Sequence, residues 1–398
     1  MRILINDHAG HPFQVQLSRS LAYRGHRVLH TYTAGLQTPR GALKSRQSDP
    51  FTFTILPIAL SRPFNRYGLL QRFVQERELG RILKAKMNAF GPDVVISANT
   101  PLGAQAMLVN GCRSNGTGLV FWLQDLLGIG IRNNLKKKMP FLGSLIGKYY
   151  MGLEGRLLKN SRAVVVITED FASICQEAGV LENNVHVIHN WAPLEEVPAM
   201  DKNNAWAREH GLEQTFNFVY LGTLGMKHNP GILLELARAV KQKPHVRMVV
   251  ISEGLGVDFL AEQKRKLDLD NLMLFPFQTF EQVPQVQAAA DVLVAILEPD
   301  AGVFAVPSKV LTYLCAERPL LLAVPFENLA ARIVKESGSG ICVAPDDYKG
   351  FIKSSETLVR DDNLRKRLGN NARKYAENTF NIEKITDRFE DIMMKSTK

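Results

Sequence analysis

Short runs of apolar, mostly β-branched residues alternate along the chain with longer stretches whose apolar positions recur at helical spacing. A run at residues 2–5 is followed by an amphipathic stretch over 15–23 and a second run at 27–29. Further runs occupy 92–97, 118–123 and 163–167. Runs this short and this uniformly apolar are buried on both faces, as in a parallel sheet covered by helices, so the pattern predicts an α/β chain with doubly wound sheets. Near the middle the pattern restarts. A last strand over 185–190 leads into Trp191-Ala192-Pro193 and polar, irregular sequence to about Gln214. Strands are then expected at 216–220, 246–252, 272–277, 292–297 and 320–324, and a charged helical stretch over 361–377 precedes a final segment from Asn381. The expected organisation is a domain over 1–190, a linker over 191–214 and a second domain over 215–380. Two doubly wound domains facing across a cleft would bind ligands at the carboxyl ends of their strands, so the chemistry is sought in the loops that follow them.

Length agrees with this division, since 398 residues exceed what one hydrophobic core usually spans. With 45% hydrophobic and 22% charged residues, disorder, a fibre and a coiled coil are excluded as the main architecture. Cys112, Cys175, Cys315 and Cys342 are scattered without a CxxC pair. They read as small apolar residues in a reducing compartment, not as a disulfide framework or a metal centre. The most apolar stretch, 139–153, is too short to span a bilayer and contains Lys148. The opening Met1-Arg2-Ile3-Leu4-Ile5 lacks the regions of a signal peptide, so a cytoplasmic location is expected. The net charge of +10 predicts attraction to something anionic: nucleic acid, a lipid surface or a phosphorylated substrate.

Four segments carry candidate chemistry. Tyr220-Leu221-Gly222-Thr223-Leu224-Gly225-Met226-Lys227-His228 joins a strand to a helix, where glycines allow close backbone approach and Lys227 would balance a phosphate; a tight structural turn with a solvated lysine is the plainer reading. In 297–309 a loop with Gly302 leads to Ser308, placed as a helix N-cap, and to Lys309. A cation in a first turn opposes the helix dipole and suggests an anionic ligand, unless it is simply solvated. Gln124 and Asp125 end a strand of the first domain, at the same edge as the loop Asn6-Asp7-His8-Ala9-Gly10-His11; neither has metal-ligand spacing. Finally, Arg132, Lys136, Lys137, Lys138 and Lys148 are interleaved with Phe141, Leu142 and Leu145 without an acid, and seven more basic residues lie in 62–86. Such stretches suit an anionic bilayer surface or are two ordinary surface helices. No nucleic-acid-binding module is recognisable, so no nucleic-acid partner is expected.

Taken together, these residues resemble the retaining glycosyltransferases of the GT-B fold, group 4, and particularly bacterial enzymes of O-antigen and capsule synthesis, including N-acetyl-fucosamine transferases. The resemblance spans nearly the whole chain. It rests on Gly10, Arg24-Gly25-His26-Arg27-Val28, Pro92-Asp93-Val94-Val95, Glu154, 163–168 and 185–191 in the first half. In the second it rests on Gly222-Thr223-Leu224-Gly225, 274–278, Ala289-Ala290-Asp291-Val292, Pro307-Ser308-Lys309, Tyr313-Leu314 and Leu368-Gly369-Asn370-Asn371-Ala372-Arg373.

The resemblance implies two Rossmann-like domains: an N-terminal acceptor domain, a C-terminal nucleotide-sugar donor domain, and a helix over 381–398 crossing back to the first. Donor contacts would come from Gly222, Thr223, Gly225, Phe277 against the base, and Gly302, Val303, Phe304, Ser308 and Thr312. Asp125, Lys227 and Lys309 would be catalytic, and His8, Gly10 and Gln124 would face the acceptor. No metal or cofactor is implied. The implied partners are a nucleotide-sugar donor, a UDP-linked N-acetylated deoxyhexose being favoured, a polyprenyl-linked saccharide acceptor, and the anionic lipid surface of the inner membrane. The chain departs from the family where two glutamates eight residues apart become Phe304 and Thr312, an arginine becomes Thr223, a glycine becomes Glu317 and a histidine becomes Gln124. A transferase with a soluble acceptor and a non-catalytic scaffold of a polysaccharide-assembly complex remain open as alternatives.

Overall fold

The computed structural model describes residues 1–36, 41–63, 69–224, 228–299, 302 and 308–397. The chain divides into two compact units, Met1–Asn190 with Ile382–Lys398, and Trp191–Asn381. The first is built on strands β1 (Arg2–Asp7), β2 (Arg27–Thr33), β3 (Phe53–Ile58), β4 (Val94–Ala98), β5 (Gly118–Leu123), β6 (Ala163–Val166) and β7 (Val185–Val187). They form one sheet in the order β3-β2-β1-β4-β5-β6-β7, every neighbouring pair parallel. The second unit contains β8 (Phe216–Leu221), β9 (Val246–Ile251), β10 (Leu272–Phe275), β11 (Val292–Ile296), β12 (Leu320–Ala323) and β13 (Gly340–Val343) in the order β10-β9-β8-β11-β12-β13, again all parallel. Each sheet reverses its strand order beside its first strand, between β1 and β4 and between β8 and β11. At such a point the loops diverge and leave a crevice.

The apolar runs become the central strands because helices cover both faces. Ile3, Leu4 and Ile5 of β1 are buried, as are all residues of β5, β6, β11 and β12. The pattern missed β3 and β13, both edge strands. β3 is buried only at its ends, Phe53 and Ile58, and contains Pro57, which an edge tolerates because one side of the strand carries no ladder; β13 opens with Gly340 and is only half-buried. Residues 191–214 are built into the second unit. Asn204 caps the helix Ala205–Glu209 and donates to the Gln285 carbonyl at 3.0 Å, Lys202 pairs with Asp291 at 2.5 Å, and Arg318 donates to the Met200 carbonyl at 3.0 Å. Glu317, standing where the resemblance expects glycine, adopts a left-handed φ of 56° that glycine would hold without strain.

The helix Ile382–Ser396 belongs to the first unit. Its Phe389 is buried 4.8 Å from the Trp122 ring, which Phe13 meets edge-on at 5.6 Å from the other helix of this corner, Pro12–Tyr23. Outside this aromatic contact, Arg24 donates to Glu383, Asp387 and Glu390 at 2.5–2.6 Å, and the three carboxylates hold its guanidinium charge still more firmly. Phe389→Ala is expected to cost about 3–5 kcal/mol, as for large aromatic truncations in a core. Arg24→Ala is expected to cost less, because two of its partners are mostly exposed. Chemical denaturation of the two variants compares them, and a larger loss for Arg24→Ala would place the anchoring in the ion pairs instead.

Candidate functional site

Strands β8 and β11 pair only at Phe218 with Val292 and Val219 with Leu293, whereas β8 stays paired with β9 as far as Leu221. Beyond Val219 the β11 side of β8 is therefore open, and its backbone groups need other partners. Tyr313, from the helix Lys309–Cys315, supplies them: its Oη accepts from the Leu221 N–H at 2.8 Å and donates to the Leu221 carbonyl at 3.1 Å. Tyr220 is buried beside it and donates to the Thr223 carbonyl at 2.7 Å, which fixes the turn after β8.

Lys309 lies in the opening. Although part of the residue is accessible, its Nζ is withdrawn from solvent and has no hydrogen-bond partner among the described residues. The ammonium sits 3.7 Å from the centroid of the Tyr220 ring. Burial pushes its pKa down to about 7, with no opposing charge among the described residues. The turn above it is Gly222, at a φ of 130°. A Cβ there would lie 2.9 Å from Lys309 Cε and 3.0 Å from Nζ, so a side chain at this position would displace the end of the lysine besides straining the backbone. The two phenols of this site, Tyr220 facing the amine and Tyr313 on the Leu221 backbone, are both pushed up by burial and stay neutral.

The other residues expected on the donor side fall around this turn unevenly. Thr223 is exposed at the turn itself, and Phe277 is 41% exposed in the loop beyond β10. Between the ends of β9 and β10 is a pocket of about 290 Å³ lined by Ser252, Glu253, Gly254, Val257, Phe275 and Pro276, among others. Gly302 offers its carbonyl to Asn328 Nδ2 at 2.7 Å. Ser308 does not cap its helix. Its backbone is already helical, with φ −54° and ψ −25°, whereas a cap needs extended backbone, and its side chain makes no capping bond. The Thr312 hydroxyl donates to the Lys309 carbonyl and accepts from Gln287 Nε2, both at 2.9 Å. Gly225, Lys227, Val303 and Phe304 lie outside the described residues.

In the first unit, Asp7 closes the loop after β1 by accepting from the N–H groups of Ala9 at 3.1 Å and Gly10 at 2.9 Å, with Gly10 at a φ of 79°. His8 is buried, its Nδ1 2.7 Å from Thr33 Oγ1. Gln124 exchanges two amide hydrogen bonds with Asn190, at 2.6 and 3.0 Å, which fastens the end of β5 to the segment after β7. Asp125 beside it is exposed. Among the described residues no cluster of His, Cys, Asp or Glu is arranged to hold a metal ion.

Of the residues named from the sequence, Gly222 and Lys309 are brought into contact, whereas Gln124 and His8 are bound to neighbours within their own unit. The sequence reading missed Tyr220 and Tyr313 as parts of the site. A signal for Tyr313 was present, since it follows Lys309 by four positions and so shares its helix face. It also missed Asn99, left-handed at a φ of 54° after β4, whose buried Oδ1 has no partner among the described residues. The fourth is the environment of Glu154, whose carboxylate accepts from the Gly128 N–H at 3.1 Å and whose pKa burial raises to about 7.

Residues 11–191 match the model of the glycosyl transferase 4-like domain, and residues 202–375 that of the glycosyl transferases group 1. A protein of Escherichia coli K12 named as a colanic acid biosynthesis glycosyl transferase, WcaI, is 22% identical over 284 residues, covering 69% of this chain and 67% of its own. An uncharacterized glycosyltransferase of Methanocaldococcus jannaschii is 22% identical over 277 residues, 66% of this chain and 64% of its own. Among solved structures, HepE of Anabaena in complex with UDP superposes with a TM-score of 0.71 at 16% identity, covering 99% of this chain and 100% of that one. WaaG, a glycosyltransferase involved in lipopolysaccharide biosynthesis, superposes with a TM-score of 0.66 at 16% identity, over 97% and 98% of the two chains. With the two family models together accounting for nearly its whole length, the chain belongs to the group 1 glycosyltransferases, with a 4-like N-terminal domain and the GT-B fold.

Proposed function

We propose that the protein transfers a sugar, with retention, from a nucleotide diphosphate sugar to a lipid-linked saccharide in the synthesis of a surface polysaccharide. A UDP-linked N-acetylated deoxyhexose is the favoured donor. The observation that carries the donor side is Lys309: a buried ammonium without an anion beside it, at the point where the second sheet opens. Such a group suits the diphosphate of the donor. As the bond between the sugar and the phosphate oxygen breaks, negative charge grows on the leaving diphosphate, and a fixed cation in a dry site lowers the energy of that state. The choice of UDP draws on the complexes of HepE with UDP and with UDP-glucose. The polysaccharide assignment draws on WcaI and WaaG, named for colanic acid and lipopolysaccharide synthesis. No metal enters this reading, and Asp125 is kept as a candidate for the acceptor side.

A lipid-linked acceptor is favoured by the surface of the first unit. Phe141 is 91% exposed and Leu145 64% exposed on the helix Pro140–Lys159, with Leu142, Tyr149 and Lys148 also exposed on it and Lys136 exposed on the preceding helix. Tyr150 of the same helix lies within electrostatic reach of Arg72 and Glu76 on the helix Leu69–Phe90, where Phe73 and Val74 are exposed. Apolar side chains ringed by basic ones fit an anionic bilayer surface, on which each lysine or arginine contributes about 1 kcal/mol. No helix among the described residues is long and apolar enough to cross a membrane, so such an association would be peripheral.

Three measurements test this reading. In a thermal-shift screen of UDP, GDP, dTDP and ADP, UDP should stabilise the protein, by about 2.7 kcal/mol at a hundred times its dissociation constant; a folded protein that responds to none of them would point to the scaffold alternative. Lys309→Met should weaken UDP binding and turnover sharply while stabilising the fold by about 1 kcal/mol or more, because it removes an unsatisfied buried group. The sign of the pH dependence follows from the lowered pKa: the ammonium is lost as pH rises through about 7, so wild-type affinity for UDP should fall over that range relative to Lys309→Met. Unchanged turnover in Lys309→Met would remove the residue from the mechanism. Vesicles containing phosphatidylglycerol should carry the protein upward in flotation at low salt, and Phe141→Ser with Leu145→Ser should abolish this; a protein that ignores such vesicles overturns the membrane reading of this surface.

A further inference from the structure

The donor reading leaves open what offsets the cost of charging a lysine buried without a carboxylate and what keeps it in place. Desolvation acts against the charged form, and a four-carbon side chain held by nothing would lose its orientation. The structure places one group against that ammonium among the described residues, the face of the Tyr220 ring, 3.7 Å from Nζ at its centroid. An aromatic face carries negative charge density, and its attraction for a cation is strongest where water is excluded. Here Tyr220 is fully buried and Nζ is withdrawn from solvent. The ring is itself held rigidly, in β8 by its backbone and at the Thr223 carbonyl by its hydroxyl, at 2.7 Å. It covers one side of the ammonium, and the N–H groups turned away from the ring remain for oxygen acceptors.

We propose that Tyr220 is a positioning residue for the donor diphosphate, acting through Lys309: its ring face offsets part of the cost of charging the buried amine and aims it at the turn after β8. This rests on the donor reading given above. Tyr220 touches no substrate in this account, and its effect vanishes without Lys309. Preorganisation of this kind strengthens binding by removing the cost of ordering and charging the side chain when the ligand binds.

A fluorination series at position 220 tests this, because fluorine drains the negative charge from a ring face while changing its size little. Dissociation constants for UDP are measured by calorimetry at a fixed pH of about 7.5, above the pKa to which burial drives the lysine. Tyr220→Phe keeps the ring and loses the hydroxyl bond to the Thr223 carbonyl, as every fluorinated member does, so it is the reference against which the series is read. Replacement by trifluorophenylalanine and then by pentafluorophenylalanine should weaken UDP binding stepwise, about tenfold or more by the last member. The same series in the Lys309→Met background should be flat. A merely structural role for Tyr220 predicts changes in melting temperature without this graded loss, so equal affinities across the series overturn the proposal, as does a slope that persists without Lys309. A folded wild-type protein that binds no UDP overturns the donor reading and this inference together, which separates that failure from failure of the ring alone.

Discussion

A charged amine held away from water with no anion to meet it is among the costlier arrangements a fold can keep. In this protein it follows from a single break in a sheet. Because β11 leaves β8 after Val219, a gap opens at the centre of the second unit, and the helix that follows β11 turns one face into it. Tyr313 repairs the exposed backbone and Lys309 occupies the remaining space. Glycine at 222 then suits the left-handed turn beside the lysine, and the ring of Tyr220 faces its charge. The site is thus one strand separation and its consequences.

The two units share a strand order but use their switch points differently. In the second the crevice beside the first strand holds a cation. In the first it holds neutral groups: Asn6 donates to Thr100 at 2.6 Å, Ser97 bonds Thr100 and Gln105, and Asn99 is turned into a left-handed conformation. The carboxylate there, Asp7, is consumed by the backbone of its own loop. A cation suits a phosphorylated donor, and amides and hydroxyls suit an uncharged saccharide, so the division of chemistry between the units agrees with the division of substrates proposed for them.

Fold class was readable in the sequence because central parallel strands must be apolar on both faces, and the short β-branched runs alternate regularly with stretches of helical spacing. The edge strands β3 and β13 were not readable, since one side of each is half-exposed and the apolar run is broken by Pro57 in one and begins with glycine in the other. The site was readable only in part. Gly222 and Lys309 stood out by residue type, yet nothing in their separate motifs shows that eighty-odd intervening residues bring the end of the lysine beside the glycine. Tyr220 looked like an ordinary strand residue, because its role depends on which way a distant lysine points. Ser308 shows the reverse error: its residue type is right for a cap, but the backbone enters the helix too early for the side chain to act as one.

The helix Ile382–Ser396 carries a consequence for how the chain is made. It completes the first unit, although the whole of the second unit separates it from the rest of that unit in the sequence. During synthesis at about 5–20 residues per second, the first unit must therefore wait roughly 10–40 s between the emergence of its last strand and the arrival of the helix that covers Trp122. Throughout that interval the indole corner of Phe13 and Trp122 is exposed on a nascent chain, and the acidic partners of Arg24 have not yet been made. The part of the protein synthesised first is the part that finishes folding last.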